Sequence, residues 1–119
     1  MKKIQNFNKS INFRGFIFVY ITALLSLQAQ SPSENLFEQG NLAYNKGDYK
    51  NAISFYEKTL EMDQHSGALY FNLANSYYKI NNIAESIYYF EKAKKLLPND
   101  EDIQINSSFA QNMTIDAIE

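Results

Sequence analysis

The sequence has no cysteine and no tryptophan, two prolines, four glycines and one histidine in 119 residues. Without cysteine there is no disulfide, no thiolate nucleophile and no thiolate metal site. With a single histidine, neither a Cys/His pair nor a His-rich metal cluster can form. That residue, His65 in "DQHSG", has no second ligand near it in sequence and reads as an exposed turn residue. Gly15, Gly40, Gly47 and Gly67 are scattered, so there is no glycine-rich phosphate loop. The acidic run Asp100-Glu101-Asp102 lacks the spacing and glycine of an EF-hand loop. The triplets "NSS" at 106–108 and "NMT" at 112–114 fit the glycosylation pattern but recur by chance, and they carry little weight. These absences argue against an enzyme and leave no cofactor or metal to expect.

The N-terminus reads as an address. Residues 1–14 carry Lys2, Lys3, Lys9 and Arg14 and no acid. The uncharged stretch "GFIFVYITALLSL" follows, from Gly15 to Leu27, and "QAQ" ends it. A basic segment, an apolar segment and a small residue describe a secretory signal peptide over 1–29, with cleavage after Ala29. The apolar run is short for a membrane span, which needs about 20 residues. No cysteine follows it to take a lipid. Residues 30–35, "QSPSEN", read as a polar linker before the folded domain of 36–119. Such a leader implies export from the cytoplasm. Membrane attachment would then come only through an uncleaved signal or a further C-terminal segment. Removing the four leader cations from eleven leaves seven against thirteen acids, a net charge of −6. That disfavours nucleic acid and anionic membrane surfaces, which select basic patches.

The chain repeats itself. "KGDYKNAISFYEK" (46–58) is echoed 34 residues later by "INNIAESIYYFEK" (80–92). Upstream of each copy, Leu36, Gln39, Gly40 and Ala43 fall at helical spacing, and so do Tyr70, Leu73, Ala74 and Tyr77. Gly47-Asp48 breaks the first helix, and Asn81-Asn82 breaks its copy. A second helix follows each break. Its inward set is Tyr49, Ala52, Ile53, Tyr56 and Leu60, then Ile83, Ser86, Ile87, Phe90 and Ala93. Pro98 closes the second unit, and Asn99 or Asp100 can cap a further helix whose first turn is acidic.

A helix–turn–helix at a 34-residue period resembles the tetratricopeptide repeat (TPR) family. In the second unit Tyr70, Leu73, Ala74, Tyr77, Ser86, Phe90, Ala93 and Pro98 sit at the family's signature positions. The first unit keeps Leu36, Gly40, Ala52 and Tyr56 and departs at Gln39, Ala43, Thr59 and Gln64. The resemblance implies an all-α fold of two repeat units, about 33–66 and 67–100, with a capping helix over about 100–117. Together they would form a short right-handed superhelix. Two units are fewer than the three usually needed for stability, so the last helix should cover unit two with Ile103, Ala110 and Met113. The mature chain also looks like the N-terminal part of the BatE family, exported TPR proteins of the Bat aerotolerance cluster. Asn99–Glu119 is the most specific part of that likeness. Members of that family continue into membrane-spanning and SH3-like segments, so the resemblance implies a fragment or a short version. Ser107 departs from it, at a spot where Leu would pack, and so does Ile105.

The resemblance places the first helix of each unit along a concave surface. Its columns, spaced by 34, are Phe37, Phe71 and Ile105; Asn41, Asn75 and Phe109; and Tyr44, Tyr78 and Asn112. Rings beside asparagine amides suit an extended peptide, whose backbone the amides can meet as donor and acceptor. The candidate groove residues are therefore Phe37, Asn41, Tyr44, Phe71, Asn75, Tyr78, Ile105 and Phe109. The competing reading is that Phe37 and Phe71 are packing residues and that the asparagines repeat by duplication alone. Some TPRs clamp a C-terminal carboxylate with Lys and Asn. Here Asn41 and Asn75 match, but Phe37, Ile105 and Phe109 stand where the lysines would be. A carboxylate buried there would be unpaired, so that mode is rejected. The expected function is an interaction module, an adaptor or scaffold for a protein or peptide partner such as another Bat cluster protein. The alternative is self-association through Ile105, Phe109, Ile115 and Ile118.

Overall fold

The computed structural model describes residues 30–116. From Ser31 onward the described residues form one compact helical unit. The signal-peptide reading of 1–29 and the self-association residue Ile118 lie outside the described residues. Among those described there are five helices and no strand: α1 Pro32–Asn45, α2 Tyr49–Glu61, α3 Gly67–Lys79, α4 Ile83–Leu96 and α5 Glu101–Asp116. None of them is long and apolar enough to cross a membrane.

Four of the five starts carry a side-chain cap, and α4, behind Asn82, does not. Ser31 Oγ accepts from the Glu34 amide at 3.2 Å, and Glu34 Oε2 accepts from the Ser31 amide at 2.9 Å. This capping box satisfies two orphan donors, and Pro32 fits the first turn because its missing N–H has no partner there anyway. Residues 30–35 are therefore not the linker their polarity suggests, since the same Ser, Pro and Glu are what a helix start uses. Asp48, Ser66 and Asp100 cap α2, α3 and α5 in the same way, accepting from Asn51, Leu69 and Ile103. Between the helices of each unit the chain turns through a left-handed residue, Gly47 at φ 77° and Asn81 at φ 62°. These are the residue types that tolerate that region.

α1 packs on α2 and α3 on α4, and α5 lies against α4. Small residues set how closely the pairs approach. A Cβ on Gly40 would stand 2.4 Å from the Tyr56 ring. In the second pair the fully buried Ser86 donates its hydroxyl to the Ala74 carbonyl at 2.9 Å. Tyr56 and Phe90, 34 positions apart, are the largest fully buried side chains, one in each of two cores. Phe37 leans on Tyr56 at 5.8 Å between centroids, and Phe71 on Phe90 at 6.1 Å. The same ring pair is made twice.

Two sequence expectations are corrected here. Gln39 lies on the apolar stripe of α1 yet is exposed, whereas its counterpart Leu73 is fully buried. Unit two stacks its Leu73 side on the core containing α2, and no described element does this for unit one. Among the described residues Gln39 is therefore left in solvent, which suits its amide. Met113, expected to help cover unit two, is 42% exposed, while Ile103, Ser107 and Ala110 are buried. At about 100° per residue, Met113 is turned roughly 80° from the line through those three. Ser107 takes the position of Leu73 in the next repeat, and its Oγ is buried with no hydrogen-bond partner. Such a group costs about 1–3 kcal/mol.

Candidate functional site

The first helices α1, α3 and α5 share one side of the unit and enclose a cleft of 440 Å³. Five of the eight sequence candidates border it: Tyr44 from α1; Phe71, Asn75 and Tyr78 from α3; and Phe109 from α5. Asn72, Lys79, Asp102 and Asn106 complete the rim, with Phe90 of α4 beneath. The volume falls within the range of small ligand and peptide sites. Phe109 is 57% exposed, so its ring stands free at the edge. Lys79 and Asp102 bring one charge of each sign to the mouth.

Three candidates are elsewhere. Phe37 is half-buried against the first core through Tyr56. Ile105 is 52% exposed and does not line the cleft. Asn41 is committed internally: its Oδ1 accepts from Tyr56 Oη at 2.8 Å and from Asn72 Nδ2 at 3.0 Å. Asn75 does the same one repeat later, accepting from Asn106 Nδ2 at 3.0 Å. Both amide oxygens thus join a first helix to the first helix of the next unit. They are not the free acceptors the repeat pattern implies. An amide paired within the fold keeps its register and loses capacity for a ligand. Among the described residues no hydrogen bond uses Asn75 Nδ2 or Asn106 Oδ1. Those two atoms are the ones that the column leaves unengaged among the described residues.

A second periodic link runs along the other side. Tyr77 Oη donates to Glu57 Oε1 at 2.5 Å, joining α3 to α2. Gln111 Nε2 donates to Glu91 Oε1 at 3.4 Å, joining α5 to α4. The recurrent Glu of the two echoed segments thus has a structural task, holding the next unit. Asn72, Asn106 and these glutamate contacts escaped the sequence reading. The usable signal was the recurrence of Asn72 at Asn106.

Burial, reinforced by the bond to Glu57 and by its charge, raises the Tyr77 phenol above the ordinary tyrosine value. Burial pushes Tyr56 up to about 12. A raised phenol pKa means that the unfolded chain loses its proton first, near pH 10. The stability from the neutral phenol is therefore complete below pH 10 and falls between about pH 10 and 12. Urea unfolding should show the midpoint dropping over that window, with a shallower slope in Tyr56→Phe. Equal slopes would mean that this phenol is not the titrating group.

His65 lies away from the cleft. Its Nδ1 is 2.6 Å from Tyr70 Oη and its Nε2 is 3.1 Å from Asp63 Oδ1. The ring therefore braces the turn between α2 and α3. Among the described residues no group of three His, Asp or Glu side chains is placed to hold a metal.

A family model described as tetratricopeptide repeat matches residues 43–106, more than half of the chain, from the last turn of α1 into α5. A search of curated proteins finds no match.

Proposed function

This chain belongs to the tetratricopeptide repeat family, and we propose that its task is to hold an extended segment of another protein in the cleft between α1, α3 and α5. The observation that carries this reading is the cleft itself: rings from three successive first helices beside the unused Asn75 Nδ2 and Asn106 Oδ1. Rings provide apolar contact at low entropy cost, and the amide atoms can pair with a peptide backbone. A single Lys79 and a single Asp102 favour a segment without a strong net charge.

The wider proposal is an exported adaptor within an envelope complex. The leader-like pattern of residues 1–29 supports export. The resemblance of the mature chain to the BatE family supports a role in aerotolerance.

One preparation tests both parts. The full chain is isolated with its partners from envelope extract after cross-linking, and Lys79→Glu/Phe109→Ala is treated alike. Both side chains are exposed, so the melting temperature should hold while the bound proteins are lost. Recovery of the same partners by the variant would sink the cleft reading. A mature N-terminus at Gln30 is expected, and an intact Met1 would sink the cleaved-leader reading.

A further inference from the structure

The 34-residue register identifies α5 as a first helix. Residues 101–113 are 67–79 moved on by one repeat, and Asn106 meets Asn75 as Asn72 meets Asn41. In units one and two every first helix has a second helix against its far face. On α1 that face carries Phe37 and Gly40, pressed on Tyr56. On α3 it carries Phe71 and Ala74, which meet Phe90 and Ser86. On α5 the same positions are Ile105 and Ser108, and both are exposed, Ile105 at 52%. Phe109 and Asn112 extend the exposed stripe by another turn.

We infer that this face of α5 is a docking site for an amphipathic helix supplied in trans by another protein, seated as α2 sits on α1 and α4 on α3. The two observed second helices define what fits. Each offers a small residue, then a large ring four positions on, then a small residue three further: Ala52, Tyr56, Thr59 and Ser86, Phe90, Ala93. The ring covers the position of Ile105. The first small residue allows the close crossing at Ser108, which Gly40 and Ala74 permit in the earlier units. Charge narrows the choice. The charged residues of α5 are Glu101, Asp102 and Asp116, with no cation among them. A basic helix is therefore favoured, and pairing of α5 with α5 of a second copy sets acid against acid. This face meets the cleft at Phe109, but Ile105 and Ser108 lie outside the cleft lining, so the inference does not depend on what the cleft binds.

The sequence of α4 supplies a probe. A labelled peptide of residues 83–97, "IAESIYYFEKAKKLL", carries three lysines against two glutamates and the required small–ring–small spacing. Titrated into the full chain and read by fluorescence anisotropy, it should bind saturably. Ile105→Asp in the chain, or Phe90→Ala in the peptide, should each weaken binding at least about tenfold. Ile105→Asp should leave the melting temperature unchanged, because the side chain is exposed, and should leave partner capture by the cleft unchanged. No saturable binding, or binding indifferent to Ile105→Asp, would overturn the inference. So would sedimentation showing an Ile105-dependent dimer of the chain alone, since a second copy would then own the face.

Discussion

Ending the chain at Pro98 is expected to lower the melting temperature by about 15 °C or more. α5 is one of the five described helices of a small repeat array. It buries Ile103 and Ala110 completely, and both belong to the core that contains Tyr70, Ala74, Phe90 and Ala93. Burying an isoleucine-sized side chain contributes about 1.5–3 kcal/mol. Removing the helix also uncovers the core residues it shields and deletes the links from Asn106 to Asn75 and from Gln111 to Glu91. A loss near 3 kcal/mol in a domain of this size moves the midpoint by about 4–8 °C per kcal/mol. The unpaired Ser107 hydroxyl, which costs about 1–3 kcal/mol, offsets part of what α5 contributes. Circular dichroism melts of the two chain lengths decide the matter. An unchanged midpoint would show that α5 does not cap unit two.

Phe90→Ala should be the most damaging single substitution, at about 3–5 kcal/mol. Phe90 is fully buried at the point where α3, α4 and α5 share a core, and its ring meets Phe71. It also lies beneath the cleft, so the cavity left by Ala would open toward the proposed binding surface. Neighbours could relax only in part, because Ala74, Ala93 and Ala110 of the same core are too small to fill the space. Urea unfolding should report the loss, and Phe90→Leu should recover a large share of it. A loss below about 1 kcal/mol for Phe90→Ala would contradict the packing described.

The repeat was legible because packing imposes a strict spacing. Tyr56 and Phe90, or Gly47 and Asn81, occur 34 apart since each unit places the same ring and the same left-handed turn. The helix pairs and the cores around Ala52 and Ala93 followed from that register, whereas the cap at Asp48 and the choice of Asp100 over Asn99 came from the hydrogen bonds. What the register could not separate was a residue that faces a ligand from one that faces a neighbouring helix. Asn41 and Asn75 repeat as a binding column would, yet they repeat because each joins its own helix to the next one. Periodicity is the same for both purposes, and only the position of the partner atom differs.

The ends of the array were likewise hidden. Gln39 and Ile105 occupy apolar-stripe positions that are filled and covered in the middle of the stack. Whether such a position is buried depends on the element beside it, which one chain segment does not encode. The start of α1 was obscured for a different reason: Ser31, Pro32 and Glu34 serve a helix cap and a polar linker equally well until the hydrogen bonds are seen. The sequence by itself determined the helical class, the 34-residue unit and the residues of its two cores apart from Leu69, because those rest on local spacing and burial. The tertiary structure decided which amides are spent within the fold, which five side chains share the cleft and which face of α5 is open. Those depend on distances between segments 20 or 31 residues apart, which no local pattern specifies.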